Sequence, residues 1–149
     1  MRYYIVIVVD DDQEGAPVIS STEVAAANKA LVREWFALLS EGRLDEAAEL
    51  TDPDGTVWSP RQRVEFPFRD WFGVYRTMVG ERFVDGITFD LGAVTAEEDR
   101  VSVLTQAHGQ KRAGGEYHNL YHWYFEGNGS RITKAREYND TFYASQAFA

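Results

Sequence analysis

Val24, Ala27, Leu31, Trp35 and Leu38 recur at spacings of three and four, so they share one face of a predicted helix. Ser20 and Glu23 stand at capping-box spacing before that run, and Gly42 follows it, which marks both ends. "RLDEAAEL" predicts a short second helix, stopped by the turn signal "DPDG". "TVWS" predicts a short strand before Pro60, and residues 61–69 have no clear period and read as a loop. "DWFGVYRTMV" predicts a third helix with Asp70 as its cap. From Gly86 the period changes to two. Ile87, Phe89, Leu91 and Ala93 alternate with Thr88, Asp90 and Gly92, the pattern of a half-buried strand. "EEDR" makes a turn, "VSVLTQAHGQ" a second strand, and "RAGGE" breaks it. "YHNLYHWYFEGNGSRITKAREYND" then supplies a hairpin and "FYASQAF" a terminal helical turn. Helices first and an antiparallel sheet afterwards give an α+β fold.

The apolar run from Tyr3 to Val9 reads as a strand because of its β-branched content. It is too short to span a bilayer, and Asp10, Asp11 and Asp12 follow it instead of a small-residue cleavage site, so neither a membrane anchor nor a signal peptide is expected. The strand Arg2 to Val9 is expected to pair with a sheet edge, since left in water it would be an aggregation hazard. Residues 1–21 are thus read as an N-terminal extension and residues 22–149 as the domain. The chain's 149 residues suit one core. A net charge of -9 argues against nucleic acid as a partner. Arg61, Arg63 and Arg69 are the only local basic cluster and read as a solvated loop. With no cysteine, disulfides and thiol catalysis are excluded, and a cytoplasmic location is expected.

The hairpin decides which groups share a face. Glu126 opposite Arg131 would make an opposite-charge pair across the loop Gly127 to Ser130. That register puts His118, Leu120, His122 and Tyr124 beside Thr133, Ala135, Glu137 and Asn139, expected to line a pocket. The other face carries Tyr117, Asn119, Tyr121, Trp123 and Phe125 with Ile132, Lys134, Arg136, Tyr138 and Asp140. Its rings would form a large exposed patch unless a second copy covered them, so a homodimer through the sheet face bearing Tyr121, Trp123 and Arg136 is expected.

The stretches "WFALLSEGRLDEAAEL", "TVWSP" and "YHNLYHWYFE…RITKAREYNDT", in this order and spacing, resemble the nuclear-transport-factor-2-like (NTF2-like) superfamily, which includes ketosteroid isomerases and SnoaL-like polyketide cyclases. The resemblance runs from about Thr22 to Ala149. It implies a cone-shaped α+β barrel, a curved antiparallel sheet wrapped around the N-terminal helices and a pocket, in many members dimeric through the outer sheet surface. Where the isomerases carry a tyrosine, a base aspartate and a protonated aspartate, this chain carries Trp35, Ser59 and His122. An indole cannot replace a hydroxyl in that role and a serine is no carboxylate base, so that mechanism is not expected here. The cyclases use a histidine and an acid on the last two strands, a pattern that His122 and Glu137 resemble.

Two readings stay open. In one, His122 and Glu137 form an acid–base pair acting without a cofactor on a small apolar organic molecule, such as a polyketide-like ring or an epoxide, with Trp35, Trp58, Ser59, Tyr75, His118, Tyr124 and Asn139 lining the site. In the other, the pair is structural and the chain is a non-catalytic ligand-binding or structural dimeric module. His118 and His122 lie about 13 Å apart along a strand, too far to share a metal, and none is expected. His108 and Asp140 are further titratable candidates, Asp140 becoming the leading acid if the register slips by one residue. Asn128-Gly129-Ser130 matches a glycosylation sequon, but a turn explains it.

Overall fold

The computed structural model describes residues 20–149, so the expected strand at Arg2 to Val9 lies outside the described residues. The chain runs through α1 (Ser21–Ser40), α2 (Leu44–Glu49), β1 (Thr51–Trp58), β2 (Glu65–Pro67), α3 (Phe68–Arg82), β3 (Thr88–Glu97), β4 (Arg100–Gln110), β5 (Glu116–Gly127), β6 (Ile132–Asn139) and α4 (Thr141–Ala147). The capping box forms as expected. Ser20 Oγ accepts the Glu23 N–H at 3.3 Å, and Glu23 Oε2 accepts the Ser20 N–H at 2.9 Å. The buried stripe of α1 carries Val32, Trp35, Phe36, Leu38 and Leu39 into the concave side of the sheet.

The strands form one open sheet in the order β2-β1-β6-β5-β4-β3. It is mixed and not wholly antiparallel, because β1 pairs parallel with β6. These two strands meet only after most of the chain has crossed between them, so no hairpin dictates their direction.

Three local expectations change. "DPDG" lies inside β1 instead of ending a helix. Asp52 Oδ1 accepts the Asp54 N–H at 2.9 Å and the pairing with β6 shifts between Thr51 and Thr56, so the turn residues form a bulge. The segment expected as a loop contains β2, which extends the sheet beyond β1. Helix α3 begins at Phe68 behind Pro67, two residues before Asp70, which sits in its first turn where a negative charge suits the helix dipole.

The hairpin register also differs from expectation. Glu126 pairs with Lys134, Trp123 with Glu137 and Tyr121 with Asn139. The shift from the Glu126–Arg131 alignment is an odd number of residues, so it turns β5 over relative to β6. Arg131 is held elsewhere, donating to the carbonyls of Glu49 at 2.8 Å and Thr51 at 2.9 Å. Asn128 Oδ1 accepts the N–H of both Ser130 and Arg131 and closes the turn.

A buried asparagine anchors that turn to α1. Asn28 Nδ2 donates to the carbonyls of Gly127 at 2.8 Å and Asp99 at 3.2 Å, and its Oδ1 accepts the Gly129 N–H at 2.8 Å. A Cβ on Gly127 would lie 2.5 Å from that oxygen, so glycine is required there. Asn28→Ala removes three hydrogen bonds, although the Asp99 carbonyl still accepts the Gly127 N–H at 2.9 Å. It is expected to cost about 2–3 kcal/mol, measured as a shift of the urea midpoint at unchanged slope.

Candidate functional site

Pairing across β1, β6, β5 and β4 arranges the inward side chains in rows. One row is Val57, Ala135, Phe125 and Val101, all buried. The next is Glu137, Trp123 and Val103, and the one after it Asn139, Tyr121 and Thr105. Beyond these come Asn119 with Ala107, then Tyr117 with Gly109. The concave surface thus turns from apolar to polar along the strands. The rings of α1 and α3 pack on Trp123 and Phe125, while in the polar rows Tyr121 meets Phe89 and Tyr117 meets Phe83, Tyr143 and Phe148.

Glu137 stands at that transition. The residue keeps some exposed surface, but its carboxyl group is enclosed, and burial pushes its pKa up to about 7 against the opposing pull of the hydrogen bond from Asn139. Asn139 Nδ2 donates to Glu137 Oε1 at 2.6 Å. Tyr75 on α3 is buried and stacks on Trp71 at 4.9 Å between ring centroids. Burial holds the hydroxyls of both Tyr75 and Tyr121 well above the ordinary tyrosine range, with the Glu137 charge adding to the effect, so both remain donors. Tyr117 and Tyr121 share a hydrogen bond at 2.8 Å, and Asn119 Nδ2 donates to the Tyr117 hydroxyl at 2.9 Å.

Among the described residues, five buried side-chain atoms have no hydrogen-bond partner: Trp35 Nε1, Tyr75 OH, Thr105 Oγ1, Trp123 Nε1 and Asn139 Oδ1. Native interiors leave few polar atoms unsatisfied. All five belong to the concave side of the sheet or to the helical side chains packed on it, and two of them, Asn139 and Tyr75, are close to the Glu137 carboxyl, by a hydrogen bond and by charge.

The expected site residues divide between the two faces. Glu137, Asn139, Tyr75 and Trp35 face the interior. Ser59 is buried and donates to Gln62 Oε1 at 2.8 Å. His122 lies on the outer face, exposed, its Nε2 2.6 Å from Ser102 Oγ. It therefore shares no wall with Glu137, because pairing partners on one strand alternate sides and His122 is aligned with Tyr138. His118 is also exposed, its ring stacked on His108 at 4.4 Å and its Nε2 2.9 Å from Gln106 Oε1. His108 Nε2 approaches Asp90 Oδ2 at 3.2 Å. Trp58 packs outside against Tyr138 at 5.4 Å, and Tyr124 donates to Glu126 Oε1 at 3.1 Å. Asp140 caps α4, accepting the Tyr143 N–H at 2.9 Å.

The sequence reading passed over Tyr117, Asn119, Thr105, Tyr121 and Trp123 as inner residues. Their signal was present: on β5 the odd positions carry Tyr117, Tyr121, Trp123 and Phe125, against His118, Leu120, His122 and Tyr124 on the even ones. Hydrophobic alternation favours the odd face inside. A cross-strand charge pair is worth about 0.2–1 kcal/mol, too little to override the burial of four rings.

Residues 32–135 match the SnoaL-like domain family. No curated protein matches the chain. Among solved structures, Bal32a from a soil-derived mobile gene cassette is 23% identical over 84% of this chain and 98% of its own, with a TM-score of 0.67. An NTF2-like protein from Burkholderia xenovorans LB400 is 17% identical over 84% and 98%, with a TM-score of 0.66. An LEH-like epoxide hydrolase from M. tuberculosis is 17% identical over 85% and 89%, also with a TM-score of 0.66. At these identities the likeness is one of fold.

Proposed function

The chain belongs to the SnoaL-like family, and from that premise we propose that it binds a small, largely apolar organic molecule on its concave face and performs acid–base chemistry on it without a cofactor. The observation that carries the reading is the Glu137 carboxyl, enclosed among rings with its pKa raised to about 7. A group poised near neutral pH can both take and return a proton. Asn139 orients one carboxyl oxygen, leaving its own Oδ1 free for a ligand donor. Tyr75 and Trp123 offer hydrogen-bond donors to a substrate oxygen on which charge develops. The rings of Trp35 and Trp71 supply an apolar wall. No helix among the described residues is long and apolar enough to cross a membrane, and with the lack of cysteine this fits a cytoplasmic protein.

The test is a comparison of two variants on substrates screened from epoxides and ring ketones. Glu137→Gln is expected to lower kcat about 10²-fold with KM nearly unchanged, and His122→Ala to leave both within a few-fold. Equal loss in both variants would restore the histidine to the chemistry, full activity in both would remove Glu137 from it, and no turnover of any screened substrate by the natural chain would leave a binding module. That second reading has an observation of its own. Among the described residues, two surface recesses of about 320 and 220 Å³ are lined by neither Glu137 nor Tyr75.

We further propose that a second copy covers the outer sheet face, through residues other than those first expected. Tyr121 and Trp123 point inward, while Leu104, Leu120 and Tyr138 lie outside and are 53%, 57% and 41% exposed. Trp58 and Tyr124 border them, and both charge signs are present in Arg136, Glu65 and Glu126, which allows a two-fold pairing to be self-complementary. Leu104→Glu with Leu120→Glu is expected to yield a monomer by sedimentation at micromolar concentration, where the natural chain sediments as a dimer. A monomeric natural chain would remove this proposal.

A further inference from the structure

Away from the polar rows, α3, the β4–β5 connection and α4 border an open recess of about 220 Å³. Its lining side chains include Arg82, Lys111 and Arg112 with one acidic side chain, Glu81, and Ala149 also borders it. In a chain of net charge -9, three cations gathered around one recess depart from the general composition. Among the described residues none of the three is ion-paired with a carboxylate. Their contacts are neutral. Arg112 Nε donates to the Gly80 carbonyl at 3.0 Å, and Lys111 Nζ to the Ala147 carbonyl at 3.3 Å. The Arg82 guanidinium lies 4.6 Å from the centroid of the Phe148 ring.

Phe148 fills an aromatic slot beside these cations. Its ring meets Phe83 at 5.8 Å and Tyr117 at 5.2 Å between centroids. Phe83 and Tyr117 are buried and in edge contact at 5.5 Å, so the floor of the slot is rigid. The segment that fills it lies at the edge of the core. No residue of α4 is fully buried; Tyr143 and Ala147 pack partly buried beside Phe148 on the cluster of Phe83, Ile87, Ala107 and Tyr117. The helix is further secured by its Asp140 cap, by the Tyr143 hydroxyl accepting the His118 N–H at 2.9 Å, and by Lys111.

We propose that this slot binds an aromatic carboxylate, whose ring takes the place of Phe148 against Phe83 and Tyr117 while its charge is met by Arg82, Lys111 and Arg112. The chain's own Phe148 is the competing occupant, and α4 moves aside when the ligand binds. Because the Tyr117 hydroxyl bonds Tyr121, an occupied slot also touches the edge of the polar rows. The slot does not depend on Glu137 or on any turnover there.

The probe is 1-naphthoate, compared with its neutral amide by calorimetry, with NMR mapping of the aromatic signals. In the natural protein, naphthoate is expected to shift the signals of Tyr117 and Phe148. Phe148→Ala removes the competitor and is expected to tighten naphthoate binding about 10-fold. Lys111→Gln with Arg112→Gln is expected to abolish the preference for naphthoate over the amide, itself about 10-fold. Unchanged affinity in Phe148→Ala, equal binding of acid and amide in the natural protein, or shifts confined to other residues would each overturn the proposal. Glu137→Gln, which tests the catalytic reading, is expected to bind naphthoate as the natural chain does.

Discussion

Glu137→Gln is expected to make the protein more stable than the natural chain above pH 7, by up to about 3 kcal/mol, and to bring no such gain below pH 4.5. In the folded chain the carboxyl titrates at about 7, whereas its ordinary value is 4.5. Below 4.5 both folded and unfolded chains hold the proton, and stability is complete. Between 4.5 and 7 the unfolded chain releases it first, so stability falls as pH rises, and above 7 the full penalty of a buried charge remains. Glutamine keeps the shape and can still accept the Asn139 hydrogen bond, but it carries no charge to desolvate. Urea unfolding at pH 4, 6 and 8 reads the effect as a difference that grows across that window. A constant difference would show that the carboxyl stays solvated. A residue kept at such a cost to stability fits a functional role, because acid–base sites are where burial is used to shift a pKa.

Trp35→Ala is expected to cost about 4 kcal/mol, a large share of the roughly 5–15 kcal/mol that holds a domain of ordinary stability together. Its ring is fully buried and lies within 5.0 to 5.6 Å of Phe36, Trp71, Trp123 and Phe125. Deleting it removes a ring that touches both α3 and the sheet, leaves Phe36 as the ring that packs α1 on Trp123 and Phe125, and opens a cavity that the four surrounding rings fill only in part. Trp35→Phe keeps a ring there and loses an indole N–H that has no protein partner, so a loss of about 1 kcal/mol is expected. Near-ultraviolet circular dichroism during thermal unfolding separates the two. A small loss in Trp35→Ala would mean that the helix is held mainly by Asn28 and its flanks.

Local signals carried much of the fold. The spacing of apolar residues and the Ser20–Glu23 box placed α1, and alternation placed β3 and β4. These features depend on residues within a few positions of one another, so a single chain displays them. The exceptions also have local causes: "DPDG" favours a turn, and the strand accommodated it as a bulge once β6 lay beside it.

Residue types and their order were enough to determine an α+β chain of the SnoaL-like kind, with a titratable acid on its last strand. Which groups meet that acid was decided by tertiary structure. The alignment of β5 with β6 depends on the burial of Trp123 and Phe125 against α1, on Asn28 gripping Gly127, and on Arg131 being drawn to the carbonyls of Glu49 and Thr51. All of these partners are distant in sequence. Because side chains alternate along a strand, that choice sent His122 outward to Ser102 and left Glu137 inside with Asn139, Tyr121 and Tyr75.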